Sequence, residues 1–109
     1  MRKTYIGELE EVVLLTVAVL QEEAYGVAIG LYLERELGRK LSISAIHATL
    51  NRLAEKGYVD SHLGGATAER GGRRKRYFKV TTSGSRILTE IQQVRSQLWS
   101  QLPPNALAT

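Results

Sequence analysis

Apolar positions along this chain fall into segments of different spacing, and each spacing predicts an element. The run VVLLTVAVL (12–20) is apolar almost all round, which suits a helix buried on several sides. Glu8, Glu10 and Glu11 follow Gly7 just before it, an acidic first turn that complements the positive end of a helix. Valine would also suit a strand. The acidic entry and the length, from about Gly7 to Gln21, favour the helix.

In AYGVAIGLYLERELG the apolar positions Val27, Ile29, Leu31, Leu33 and Leu37 predict a second helix over roughly 25–37, with Gly38 as its C-terminal cap. Gly26 and Gly30 share one face of it, where close packing on another helix is the expected reason. In LSISAIHATLNRLAEKG, Ile43, Ile46, Leu50 and Leu53 recur at helical spacing as one buried stripe. Ser42 or Ser44 can cap that third helix and Gly57 can end it. Its opposite face then carries Ser44, Ala45, Ala48, Asn51, Arg52 and Glu55, with His47 on the flank.

YVDSHL (58–63) and RKRYFKV (74–80) have strand composition and are joined by a glycine-bearing loop too long for a two-residue turn. They predict a β-hairpin with a long tip, in which Phe78 faces inward. Thr81 or Thr82 should cap a last helix running to about Leu102, where Pro103 and Pro104 stop it. Ile87, Ile91, Val94, Leu98 and Leu102 form its stripe, with Leu88 beside it and Trp99 at the margin. Such a helix is about 30 Å long, more than a core this small can cover. The surplus predicts a partner helix.

Charge changes the picture. Residues 1–60 carry seven Lys/Arg against nine Asp/Glu, whereas 61–109 carry eight against two. The excess centres on ERGGRRKRYFK (69–79), and a local excess of this kind points to an anionic partner. At 109 residues one domain is expected. The absence of cysteine excludes disulfides and thiolate chemistry, and two histidines are too few for a His-rich metal site. No GxSxG, HExxH or GxxxxGK[ST] pattern is present, so no catalytic residue, cofactor or metal is assigned and no enzyme is expected. The longest apolar run is too short to span a bilayer and no signal peptide is evident, so no membrane partner and a cytoplasmic location are expected.

Three helices followed by a hairpin is the order of a winged helix-turn-helix. In that frame Ala45 and Ala48 permit close approach to a groove floor, and Asn51 and Arg52 can donate to bases or phosphates. Gly71 and Gly72 make a pliable wing tip whose arginines meet phosphates or enter a minor groove. Tyr77 and Phe78 are read as hairpin anchors, and Tyr25 and Tyr32 as core or subunit-interface residues. A basic RGG run also occurs in RNA-binding tails, but its place between strand-like segments favours duplex DNA.

GELEEVVLLTVAVLQEEAYGVAI, SISAIHATLNRLAEKGYV and ERGGRRKRYFKVTTSG together resemble the PadR family of bacterial transcriptional regulators, over about residues 7–88. GGRRKRYFKVT is the most specific part of the match. The resemblance implies a mainly α fold with a β-hairpin wing: a winged helix-turn-helix (1–81), a C-terminal dimerisation helix (82–102) and a flexible tail (103–109). It implies a repressor that binds double-stranded DNA as a homodimer on a near-palindromic operator. The DNA-binding set is then Ser44, Ala45, His47, Ala48, Asn51, Arg52, Arg70, Arg73, Arg74, Lys75 and Arg76, and the dimer interface Ile87, Ile91, Val94, Leu98 and Trp99.

Two departures matter. His47 stands where the family usually has Tyr, and the chain ends at Thr109 without the added helical domain of longer members. It thus resembles the short subgroup, some of which bind flat aromatic ligands between protomers. A small aromatic effector is therefore a further partner the resemblance implies. The indole of those members falls near Arg95 here, one turn before Trp99, so weak binding at best is expected. A ligand-responsive regulator of that type, and a winged helix whose basic wing meets an acidic protein, are the alternative readings.

Overall fold

The computed structural model describes residues 6–64 and 74–108. Helix α1 (Glu8–Leu20) leads through a 3₁₀ turn (Gln21–Glu23) into α2 (Gly26–Leu37) and α3 (Ile43–Glu55). Strands β1 (Val59–Leu63) and β2 (Arg76–Val80) pair antiparallel, with Val59 opposite Val80 and Leu63 opposite Arg76, and α4 (Thr82–Ser100) follows. This is a winged helix-turn-helix with a C-terminal helix.

Local chemistry sets each boundary. The Ser42 hydroxyl accepts a hydrogen bond from Ala45 N at 3.0 Å, and the Thr81 hydroxyl accepts one from Gly84 N at 3.0 Å, satisfying donors that a helix start leaves unpaired. Gly38 ends α2 in the left-handed conformation, at φ 67°. Glu10, in the first turn of α1, accepts from Gly7 N at 2.8 Å and closes the chain entry. Helix α1 stops at Leu20 because Gln21 takes φ 56°, a region a side chain makes costly.

The core gathers Val13, Leu14 and Val17 of α1, Ile29 and Leu33 of α2, Ile46, Leu50 and Leu53 of α3, and Phe78 of the hairpin. Burying each of these is worth roughly 1.5–3 kcal/mol. At two glycines α2 presents bare backbone to the side chains of α3. A Cβ on Gly30 would come within 2.8 Å of Ile46 Cδ1, and one on Gly26 within 2.8 Å of His47 Nε2. The expected reason for these two glycines is thus the observed one.

Several expectations need correction. Ile43 belongs to the predicted buried stripe but is 45% exposed, because it sits at the first position of α3 and leans across Gly26 at the domain's rim. Of the apolar side chains named for α2, Ile29 and Leu33 are buried, while Val27, Leu31 and Leu37 are more than half exposed. Val27 and Leu31 lie two positions from Ile29 and Leu33, about 200° round the helix, so one core cannot take both sets; Leu37 shares the buried face but is the last residue of the helix. Helix α1 is not covered all round: Leu15 and Val19 stay open. The strands are shorter than predicted, and α4 ends at Ser100 rather than Leu102.

A strand-like contact was not foreseen. Tyr25 forms an isolated antiparallel bridge with Tyr77, and Phe78 N donates to Ala24 O at 2.9 Å. The hairpin is thereby stitched to the start of α2. The far half of α4 is exposed from Gln92 onward, and the radius of gyration is 16.6 Å, against about 13 Å for a rounded chain of this size. Among the described residues no helix is long and apolar enough to cross a membrane.

Candidate nucleic-acid interface

Ser44, Ala48, Asn51 and Glu55 are exposed on the outer face of α3, with Ala45 half-buried beside them. The small side chains are at the N-terminal end, where a helix can lie closest to a groove floor. Glu55 adds an acid near the C-terminal end, which would disfavour phosphate there. Two residues border the face. His47 leans against Gly26 of α2, and Arg52 turns toward α1.

Arg52 is less free than its helical position suggests. Its Nε donates to Glu10 Oε2 at 3.1 Å and its Nη2 to Thr49 Oγ1 at 3.3 Å, so part of its donor set is turned inward. Glu10 is only 6% exposed and also accepts from Lys56 Nζ at 2.9 Å. Burial alone would raise its pKa. The hydrogen bonds from Lys56, Gly7 N and Arg52, with the Lys56 charge, outweigh that and hold it below the usual carboxylate range. This carboxylate joins the entry of α1 to the exit of α3, a junction no local sequence pattern shows, since its partners lie 42 and 46 residues away.

On the wing, Arg74, Lys75, Arg76 and Lys79 are exposed. Arg76 Nη1 donates to Ser61 Oγ at 3.0 Å across the hairpin, and Lys79 stands opposite Asp60. Lys75 Nζ lies 4.3 Å from the centre of the Tyr25 ring. Tyr77 meets Tyr25 edge-on with centroids 5.4 Å apart and stacks on His62 at 5.8 Å. Phe78 is 4% exposed, so it anchors the wing in the core. Arg70 and Arg73, with Gly71 and Gly72 of the wing tip, lie outside the described residues.

Of the predicted interface residues on α4, Ile87 and Ile91 are half-buried, while Val94, Leu98 and Trp99 are exposed. Arg95 pairs with Glu11 of α1 at 3.1 Å, beside a groove of about 350 Å³ lined by Leu15, Leu88 and Gln92.

A helix-turn-helix with a cationic, aromatic-rooted hairpin defines a DNA-binding class of protein. The family model for "Transcriptional regulator PadR-like family" matches residues 14–90, and the chain belongs to that family, whose members are transcriptional regulators and not enzymes. No curated protein matches the chain at a significant level. Among solved structures it is similar to a PadR-like transcription factor from Bacteroides fragilis (24% identity, TM-score 0.70, covering 84% of each chain). A PadR-like regulator from Bacillus cereus is similar at 23% identity and TM-score 0.67, again over 84% of each chain. Bacillus subtilis PadR in complex with operator DNA is similar at 22% identity and TM-score 0.63, over 77% of this chain and 47% of that one. At these identities the structural likeness establishes the fold.

Proposed function

We propose that the protein is a cytoplasmic repressor that binds a near-palindromic operator in duplex DNA as a homodimer. The observation that supports this best is the exposed small-residue face of α3, continuous in the chain with a wing bearing Arg74, Lys75, Arg76 and Lys79. The operator complex of the similar Bacillus subtilis PadR supports it further. In this reading Ser44, Ala45, Ala48 and Asn51 lie along the groove, while His47, Arg52 and the wing cations take phosphates. Arg70 and Arg73 join them on sequence grounds.

The dimer reading is supported by apolar surface that the single chain leaves open. Val94, Leu98 and Trp99 on α4 are 56%, 62% and 65% exposed, and Leu15 and Val19 on α1 are 45% and 54%. Packing α4 on the partner's α1 would cover both sets. The groove beside Arg95 is where a flat aromatic effector would enter. Quenching of Trp99 by a planar cationic dye, with release of DNA, tests that part.

The main test is a salt titration with duplex DNA. If the dimer neutralises about 6–10 phosphates, log K should fall against log salt with a slope of ~0.9 per phosphate. Affinity unchanged from low to moderate salt would overturn the reading.

A further inference from the structure

Phosphate contacts work only if the wing meets DNA at the right angle to α3, and something must fix that angle. The hairpin root has three ties to the segment before α2. Phe78 N donates to Ala24 O at 2.9 Å, Tyr25 bridges Tyr77, and the two tyrosine rings meet edge-on at 5.4 Å. Tyr77 is itself confined. His62 stacks on it, and a Cβ on Gly64 would come within 2.6 Å of its Cε1, so its ring lies directly over that backbone. Lys75, just before β2 and two residues from Tyr77, reaches back over the Tyr25 face, with its ammonium 4.3 Å from the ring centre. That distance is within the range of a cation–π attraction.

We propose that Tyr25 is a positioning residue for DNA binding: its ring ties the wing to the start of α2 and holds the Lys75 ammonium at a fixed place relative to α3. The consequence for DNA rests on the repressor reading above, whereas the clasp itself exists without DNA. Tyr25 would touch no nucleotide. It acts by directing the wing and by presenting one cation, so the loss of Lys75 removes part of what the loss of Tyr25 removes.

Two measurements test this. In the free protein, Lys75 side-chain protons should resonate upfield in the ring current of Tyr25. The shift should persist in Tyr25→Phe, which keeps the aromatic face, and vanish in Tyr25→Leu. In duplex-binding assays at fixed salt, Tyr25→Leu and Lys75→Met should each weaken affinity about two- to fivefold per wing, the scale of an exposed cation–π contact. The double variant should be no weaker than the worse single one, because coupled residues are non-additive. Tyr25→Phe and Lys75→Arg should restore binding.

Additive losses in the double variant, or full binding by Tyr25→Leu, would overturn the proposal. An unshifted Lys75 in the free wild-type protein would do so without any DNA. If Tyr25→Leu fails to fold, Lys75→Met and Tyr25→Phe still decide the matter by the proton shift and the affinity. A wild-type protein that shows the ring-current shift but no salt-dependent binding would instead remove the repressor reading and leave the clasp standing.

Discussion

Replacing Glu10 tests how α3 is held to the rest of the domain. The carboxylate accepts from Gly7 N, Arg52 Nε and Lys56 Nζ at 2.8, 3.1 and 2.9 Å. Hydrogen bonds to a charged group contribute roughly 1.5–3 kcal/mol each when fully buried. Here the cations reach water, their side chains being 51% and 30% exposed, so each pair falls nearer ~0.2–1 kcal/mol. The cap on Gly7 N adds about 1 kcal/mol. Glu10→Ala should therefore cost about 1.5–3 kcal/mol, and Glu10→Gln, which keeps an acceptor for the cap, about 0.5–2 kcal/mol.

The pH dependence follows from the lowered pKa. The folded-state value lies below the unfolded carboxylate value of about 4.3. The stabilisation is thus fully present above that pH and is lost as pH falls through the folded value. Urea unfolding of wild type and Glu10→Gln, followed by circular dichroism from pH 7 to 3, should show a gap that is constant above about pH 5 and closes in acid. A gap of equal size at pH 7 and pH 3, or none at pH 7, would refute the assignment of this carboxylate as a charged tie.

Three further outcomes are expected. Asn51→Ala should reduce discrimination between operator and random DNA by ~1–3 kcal/mol, while Arg74→Ala with Arg76→Ala should weaken binding to both alike; competition binding distinguishes them. Ile91→Glu with Leu98→Glu should yield a monomer or an insoluble chain in sedimentation, because two charges would enter the proposed apolar seam. Gly84→Ala should lower thermal stability by about 1–3 kcal/mol despite a better helix propensity, because its Cβ would press on the Tyr58 carbonyl oxygen, a backbone atom that cannot swing away; an unchanged melting temperature would count against that packing.

What could be read from the chain was whatever depends on near neighbours. Ser42, Gly38 and Thr81 act on residues three to five positions away, so their capping roles were legible. The Ile46, Leu50 and Leu53 stripe was legible for the same reason. Ile43 was misjudged because periodicity gives a direction but not where the core ends. The Tyr25–Tyr77 bridge and the Glu10 junction join segments far apart in sequence, and no pattern in either segment announces the other. At the candidate interface the outward positions of α3 could be listed by angle, but the tether on Arg52 and the ring beneath Lys75 could not.

The bare contact at Gly26 and Gly30 bears on how readily this scaffold could acquire a new target sequence. At Gly26 and Gly30 α2 faces Ile43, Ile46 and His47, while the outward positions Ser44, Ala48 and Asn51 are exposed. A library randomised at those three sites should keep a high fraction of folded members, since surface changes away from packing seldom exceed about 0.5 kcal/mol. His47 is different. Its ring lies against Gly26, so a different side chain there must either swing away from α2 or press on its backbone. Outward positions that can vary freely and one position tied to the helix contact thus lie side by side on one short helix.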